Sequence, residues 1–427
     1  MLNMKIFRIP VTAWLVGLFL YPALAFASGG SPVFTKNTLI MLVVLTGAKV
    51  LGFLSVQLKM PELVGELFAG IILGNLFLFG IRWSMGDELL ASEFMQYAAE
   101  LSIVILLFQV GLESNIKELF SVGKSAILVA VVGVVLPVFG GWGFSEISGF
   151  SSGIGSWFIG ATLAATSVGI TAKVLTDANV IKTKSSQVIL GAAVVDDVLG
   201  LILLAGLAAI ATTGEVSPSL IGGIFLKAIG FFAIAGFVGV FAVPKLVRVT
   251  SVSESSGLWV AFSLVLALLF AQAAAMLDLA PIIGAFTAGL LLDDVHFVSG
   301  HKVQKHNLEE MLRPLNELLL PIFFVSIGVQ VKLNSIGTAT GFGIFAVLVL
   351  ISIVSKGVAG FAARGEKMDP IGIGLGMIPR GEVGLIFASY ALSHRVFSDS
   401  TYSIMVITVL FTTVLGPILL RPRLAKF

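Results

Sequence analysis

The stretch GMIPRGEVGLI, Gly376–Ile386, interrupts an apolar segment with Pro379 and Gly381. A proline inside a helix removes a backbone donor and clashes with the preceding turn, and glycine loosens the helix further. A second stretch, AATSVGITAKV at Ala164–Val174, also lies within an apolar segment. Unwound backbone at membrane depth is tolerated only inside protein or against a water-filled cavity. The two stretches therefore predict two broken helices inside the protein, with two ordinary kinked helices as the alternative.

Both stretches belong to an internal repeat. GELFAGIIL recurs as GAFTAGLLL, and TSVGI recurs as GEVGL. VDDVLG at Val195–Gly200 aligns with FTTVLG at Phe411–Gly416, at the shared offset of about 216 residues. The repeats cover about 61–210 and 280–421, with five helices each. Because five is odd, the second copy is predicted to be inverted in the membrane, and inverted repeats of this kind are typical of transporters.

The composition of the whole chain is that of a membrane protein. The chain is 57% hydrophobic and 12% charged, with a mean hydropathy of +1.06, against roughly 25% charged residues in a soluble domain. About thirteen apolar segments, each near the ~20 residues that span a bilayer, follow the N-terminal region. We therefore expect an all-α polytopic membrane protein. A net charge of +2 does not indicate nucleic-acid binding, and the absence of cysteine excludes disulfides and thiolate metal sites.

The N-terminal residues 1–27 resemble a secretory signal peptide. Lys5 and Arg8 precede an apolar core and an A-x-A cleavage site; an uncleaved first helix is the alternative. The transmembrane domain is then 28–421, and 422–427 is a short tail. Lysine and arginine concentrate in the loops of one side, which predicts a cytoplasmic C-terminus in the cell (inner) membrane.

Two adjacent carboxylates, Asp196 and Asp197, stand in GAAVVDDVLG, which continues as the uncharged LILLAGLAAI. A charged side chain at mid-bilayer depth costs at least ~2.5 kcal/mol, so we expect a function for the pair. Neighbouring helix positions point ~100° apart, so one aspartate can face Lys356 while the other faces a cavity. Carboxylates, unwound carbonyls and the hydroxyls of Thr166 and Ser167 are oxygen ligands that hard cations prefer. A carboxylate that holds either a cation or a proton couples their exchange.

Arg380 and Glu382 flank the second interruption. The facing ends of two half-helices carry like partial charges, which a cation near C-terminal ends and a carboxylate near N-terminal ends would offset. We expect this charge compensation from the pair; direct coordination of an ion is the alternative.

Four motifs in order, ATSVGITAKVL, VVDDVLGL, the helix-borne Lys356 and IPRGEVGLI, resemble the monovalent cation:proton antiporter-2 family. The closer likeness is to its sodium/proton antiporters with paired aspartates. The resemblance implies a homodimer with a mobile core domain that holds the two crossed broken helices. It also implies that Asp197 binds the transported cation and the proton, that Asp196 pairs with Lys356, and that Thr166 and Ser167 lie at the crossing.

The sequence thus predicts a secondary active transporter rather than an enzyme, working by alternating access around Asp197. It exchanges a monovalent cation for protons, with sodium expected and lithium and potassium as alternatives, and exchange of two protons per cation would be electrogenic. Its partners are these ions and the lipid bilayer, with no cofactor. A potassium-efflux channel-like protein of the same fold is the alternative function. An intramembrane aspartyl protease is a remote one, because its Y-D and G-x-G-D motifs are absent from the chain.

Overall fold

The computed structural model describes residues 32–79, 89–90, 92–113, 123–213, 218–243, 245, 256–277, 279–298, 305–363 and 368–427. The predicted signal segment 1–27 lies outside these residues. Their α-helices are α1 (Pro32–Gln57), α2 (Glu62–Gly74), α3 (Glu93–Glu113), α4 (Lys124–Ser148), α5 (Ile154–Ala164), α6 (Val168–Asp177), α7 (Lys184–Thr213), α8 (Pro218–Phe241), α9 (Ser256–Ala275), α10 (Pro281–Val298), α11 (Lys305–Val329), α12 (Ala339–Ala359), α13 (Pro370–Gly376), α14 (Glu382–Ser393) and α15 (Asp399–Leu420). Short 3-10 turns lie at Leu76–Phe79, Leu333–Ser335, Gly360–Ala362 and Arg421–Lys426.

The helices have the length and composition of membrane spans. Within the described ranges, nine helical stretches are long and apolar enough to cross a bilayer, and three shorter apolar helices accompany them, at Gly230–Gly239, Pro281–Leu292 and Glu382–Ser393. No strand occurs in the same ranges. The chain is therefore an all-α, multi-pass membrane protein, while the count of thirteen spanning helices stays a prediction.

Two apolar segments are interrupted at the places that the sequence indicates. The first break, residues 165–167, separates α5 from α6, and Ala165 has extended backbone with φ −56° and ψ 136°. The second break, residues 377–381, separates α13 from α14, and Gly381 is extended at φ −148° and ψ −151°. Pro379 lies in the second break, where it has no N–H with which to continue a helix.

The chain divides into two compact units. Unit 1 comprises Met1–Ser102 and Glu317–Val331, and unit 2 comprises Ile103–Asn316 and Lys332–Phe427. Both breaks, α7 and α12 belong to unit 2. All residues of the predicted site therefore lie in one unit.

Equivalent glycines of the two sequence repeats make matching close contacts. In unit 1, a Cβ on Gly70 of α2 would lie 2.8 Å from the Cα of Gly328 in α11. In unit 2, a Cβ on Gly289 of α10 would lie 3.0 Å from the carbonyl carbon of Gly111 in α3. Only glycine allows backbones to approach this closely, as in other membrane helix pairs. These contacts support the repeat, and its inversion stays a prediction.

Candidate functional site

The paired aspartates of α7 are buried beside a lysine. The exposed fractions of Asp196 and Asp197 are 1% and 9%. The Nζ atom of Lys356, on α12, lies 3.4 Å from Oδ1 of Asp196, and neither side chain reaches solvent. Asp197 also interacts electrostatically with Lys356. The structure thus brings the two aspartates and the lysine into one charged cluster inside unit 2.

The surroundings of Lys356 explain how the ammonium group fits inside the protein. Lys356 lies in the last turn of α12, where a cation complements the partial negative charge of the helix end. Its Nζ atom lies against Gly133 of α4, where a Cβ would be only 3.4 Å away. Its carbonyl lies against Gly374 of α13, where a Cβ would be 2.8 Å away. A larger residue at Gly133 would therefore compete for the space that the ammonium uses.

Arg380, in the second break, caps the C-terminal end of α5. Its Nη1 donates to the carbonyl of Ala164 at 2.9 Å and to that of Ala165 at 2.7 Å. The last carbonyls of a helix have no partner within the helix and carry partial negative charge. Arg380 is 1% exposed and also interacts electrostatically with Asp196. One guanidinium therefore connects the first break with the aspartate cluster.

Glu382 occupies the opposite kind of helix end. It stands in the first turn of α14, where backbone N–H groups carry partial positive charge. Arg380 and Glu382 therefore stand at the helix ends that charge compensation requires, and that role remains a hypothesis.

Thr166 and Ser167 of the first break contact the second break. The hydroxyl of Thr166 donates to the carbonyl of Met377 at 3.3 Å, and the N–H of Ser167 donates to the carbonyl of Pro379 at 2.9 Å. The side chain of Ser167 packs against Gly381, where a Cβ would lie 2.7 Å from the serine Cβ. The two residues thus join the breaks, and their part in ion binding stays a prediction.

Two further hydroxyls hold the second break, and sequence reasoning missed both. Thr171 of α6 donates to the carbonyl of Gly376 at 2.8 Å, and Thr413 of α15 donates to the carbonyl of Arg380 at 2.8 Å. Buried carbonyls outside regular structure require such partners. A signal for Thr413 did exist, because FTTVLG aligns with VDDVLG and places Thr413 at the position of Asp197.

Oxygen atoms of several chemical kinds lie on and around α7. Among the described residues, no three His, Cys, Asp or Glu side chains are grouped so that they could hold a metal ion. The helix that carries the aspartates, α7, packs against α5, α6, α13 and α14. Carboxylate, hydroxyl and unwound carbonyl oxygens are thus concentrated around one helix, and these are the ligands of hard cations.

Comparison with known proteins gives consistent matches over nearly the whole chain. Residues 39–426 match the family model described as sodium/hydrogen exchanger, transmembrane. The chain is 35% identical to the high-affinity Na+/H+ antiporter NhaS3 of Synechocystis sp., covering 92% of this chain and 90% of that protein. It is 33% identical to the Na+/H+-K+ antiporter GerN of Bacillus cereus, with coverages of 88% and 94%.

A solved structure shares the fold. The sodium proton antiporter MjNhaP1 of Methanocaldococcus jannaschii, at pH 8, superposes with a TM-score of 0.69 at 16% sequence identity, covering 91% of this chain and 97% of that one. At this identity the likeness concerns the fold alone, and it agrees with the helical architecture described above.

Proposed function

We propose that Asp197 is the carboxylate that couples cation and proton movement in this chain, which belongs to the sodium/hydrogen exchanger transmembrane family and exchanges monovalent cations for protons. The observation that carries the proposal is the buried pair on α7, in which Asp196 has Lys356 as its partner 3.4 Å away. Lys356 offsets one of the two negative charges. Asp197, which also interacts electrostatically with Lys356, is the group to which we assign the transported cation or the proton.

The coupling follows from the burial of Asp197. This residue is 9% exposed, and burial disfavours the charged form of a carboxylate, which a bound cation or proton neutralises. Asp197 therefore crosses between the two sides with either a sodium ion or a proton, and one excludes the other. Alternation between these two states gives exchange, and neither ion leaks alone.

Sodium is the cation that we propose. NhaS3 and GerN are both named as Na+/H+ antiporters, and GerN is also named for potassium. Wild-type protein in proteoliposomes that contain a pH-sensitive dye should export protons when sodium is added outside. Lithium and potassium are tested in the same preparation, and sodium should give the lowest half-saturating concentration.

Counterflow separates exchange from the alternative, a channel-like efflux protein of the same fold. An exchanger moves labelled sodium into vesicles only when protons or unlabelled sodium leave. A channel passes labelled sodium down its gradient without this requirement. Sodium uptake that is unaffected by abolishing the proton gradient and the internal sodium would contradict the proposal.

We further propose that exchange is electrogenic, with two protons per cation. Asp197 releases one proton when the cation binds, and Lys356 releases the second when Asp196 separates from it. One net positive charge then moves with the protons on each turnover. A sodium concentration jump on a solid-supported membrane should therefore give a current in which positive charge moves in the direction opposite to sodium.

Lys356→Gln tests this stoichiometry. The variant should lose the current, because the second proton no longer has a carrier. Proton flux measured with the dye then shows whether one-for-one exchange remains or whether the unpaired Asp196 stops transport altogether. A variant with normal exchange and normal current would leave Lys356 with a structural role alone.

We also propose a homodimer in the cell membrane with a cytoplasmic C-terminus. Support for the orientation comes from the lysine and arginine residues concentrated in one set of loops. Labelling of a single cysteine introduced near residue 425 by a membrane-impermeant reagent, in intact and in opened cells, tests the orientation. Mass measurement of the detergent-solubilised protein tests the dimer.

A further inference from the structure

The hydroxyl of Thr413 reaches out of its own helix to the second break. Thr413 lies on α15 and is 1% exposed. Its Oγ1 lies 2.8 Å from the carbonyl oxygen of Arg380 and 2.7 Å from that of Val409, one turn back in α15. A hydroxyl has a single proton, so the two carbonyls share one donor. The bond to Arg380 joins residues 33 positions apart in the chain.

The backbone of α15 touches the same break one turn further on. A Cβ on Gly416 would lie 2.6 Å from Cγ and 2.7 Å from Cδ of Pro379. No side chain fits at this contact, so α15 lies directly on the proline. Thr413 and Gly416 thus contact the second break at two adjacent residues, Pro379 and Arg380.

The sequence repeat gives this contact a wider meaning. Thr413 stands at the position that Asp197 occupies in the first repeat, and Thr412 stands at that of Asp196. A hydroxyl can donate to a backbone carbonyl, whereas an ionised carboxylate has no proton to donate. The same place in the two repeats therefore carries an anchor for the backbone in one copy and a carboxylate in the other.

We propose that Thr413 is a positioning residue for cation exchange. The hydroxyl of Thr413 holds the carbonyl of Arg380 and so positions the backbone from which the Arg380 side chain extends. The guanidinium of that side chain caps Ala164 and Ala165 and interacts with Asp196. The inference rests on the proposed function, because it assigns to Thr413 an effect on the affinity of the aspartate cluster for the cation.

The chain contains a matched control at the next residue. Thr412 is fully buried, and its hydroxyl donates to the carbonyls of Thr408 at 2.8 Å and Val409 at 2.9 Å, both within α15. Threonine and valine have nearly the same shape, so either Thr→Val change removes a hydroxyl with little change in packing. Only the change at Thr413 removes a bond to a break.

The test compares sodium-driven proton flux of purified variants in proteoliposomes. Thr413→Val should raise the half-saturating sodium concentration about fivefold, the size expected for one net hydrogen bond, with a maximal rate within about twofold of wild type. Thr413→Ser, which keeps the hydroxyl, should restore the half-saturating concentration. Thr412→Val should match wild type in both quantities.

Gly416→Ala provides a second test, because its methyl group would displace Pro379 without touching Thr413. It should raise the half-saturating sodium concentration in the same direction. If Thr413→Val does not reconstitute, Thr413→Ala removes the same hydroxyl and must show the same rise.

Two results would contradict different claims. A wild-type preparation without sodium-dependent proton flux contradicts the proposed function. If the wild type exchanges normally, either of two results overturns the positioning role of Thr413. The first is that Thr413→Val or Thr413→Ala keeps the half-saturating sodium concentration of wild type. The second is that Thr412→Val raises this concentration as much as Thr413→Val does.

Discussion

The two helix breaks are held by different kinds of hydrogen bond. The carbonyls at the first break, Ala164 and Ala165, accept from the charged guanidinium of Arg380. Those at the second break accept from neutral donors, namely the hydroxyls of Thr166, Thr171 and Thr413 and the N–H of Ser167. The charge that stabilises the first break is also the one that interacts with Asp196. We interpret the first break as electrically connected to the aspartate cluster and the second as a neutral frame that keeps Arg380 in place.

Removing the negative charge of Asp197 should have the largest effect on exchange. Asp197→Asn should abolish exchange for every cation while the protein still inserts and purifies, because asparagine keeps the shape of aspartate but cannot carry the charge or take up the proton. Dye-detected proton flux and labelled sodium uptake both measure this. Asp399→Asn, which changes an exposed carboxylate at the start of α15, is the control and should transport normally. Clear residual exchange in Asp197→Asn would move the binding role to Asp196.

Removing the charged cap of the first break should have the next largest effect. Arg380→Gln leaves two buried carbonyls without their donor, at ~1–3 kcal/mol for each unsatisfied group, so exchange should fall about tenfold or more. Arg380→Lys keeps the charge with a single donor group and should retain more activity than Arg380→Gln. Equal loss in both variants would mean that the geometry of the guanidinium matters more than its charge. Wild-type exchange in Arg380→Gln would remove the contrast between the breaks.

The outer ends of the broken helices extend the comparison, since each has a carboxylate. Before α5, the N–H of Gly153 donates to Glu146 at 2.8 Å. Before α13, Asp369 accepts two hydrogen bonds from Arg423, at 2.9 and 2.5 Å, and its own N–H donates to Ser185. The second broken helix is thus tied to the 3-10 turn that follows α15.

Breaking this outer tie should have the smallest effect. Arg423→Gln should lower the unfolding temperature by about 2 °C, with exchange little changed. Arg421→Gln, in the same turn and exposed, is the control and should unfold as wild type does. An equal shift in both variants would assign the effect to net charge instead of the pair with Asp369.

The pH dependence of this change in unfolding temperature follows from the pKa of Asp369. Burial raises the pKa of its carboxyl, but hydrogen bonds from Arg423 and from the backbone of Gly372 outweigh burial and hold the pKa below its ordinary value of 3.8. A lowered pKa in the folded state gives stability that is complete above the ordinary value and is lost as the pH falls through the folded-state pKa. The difference between wild type and Arg423→Gln should therefore stay constant from about pH 5 to pH 8 and shrink only in stronger acid.

Patterns within short stretches of the sequence predicted much of the fold and part of the site. Apolar segments identified the membrane helices, because burial in lipid requires them. Pro379 and Gly381 located the second break, because their effect on the backbone is local, and the sequence repeat located the first break, which contains neither residue type. Because a buried charge is costly without a partner, the sequence predicted that Lys356 pairs with the aspartates. In the structure its Nζ lies 3.4 Å from Oδ1 of Asp196.

What only the tertiary structure decided are the partners of individual carbonyls and of the Asp369 carboxylate. Thr171 is an ordinary threonine of an apolar helix in the sequence, Thr413 is distinguished only by its alignment with Asp197, and Arg423 is one of several basic residues near the end of the chain. Their bonds join residues 205, 33 and 54 positions apart. Any hydroxyl within reach satisfies a carbonyl equally well, so composition and spacing determine that the unwound carbonyls need donors, and only the packing of the helices selects which side chains provide them.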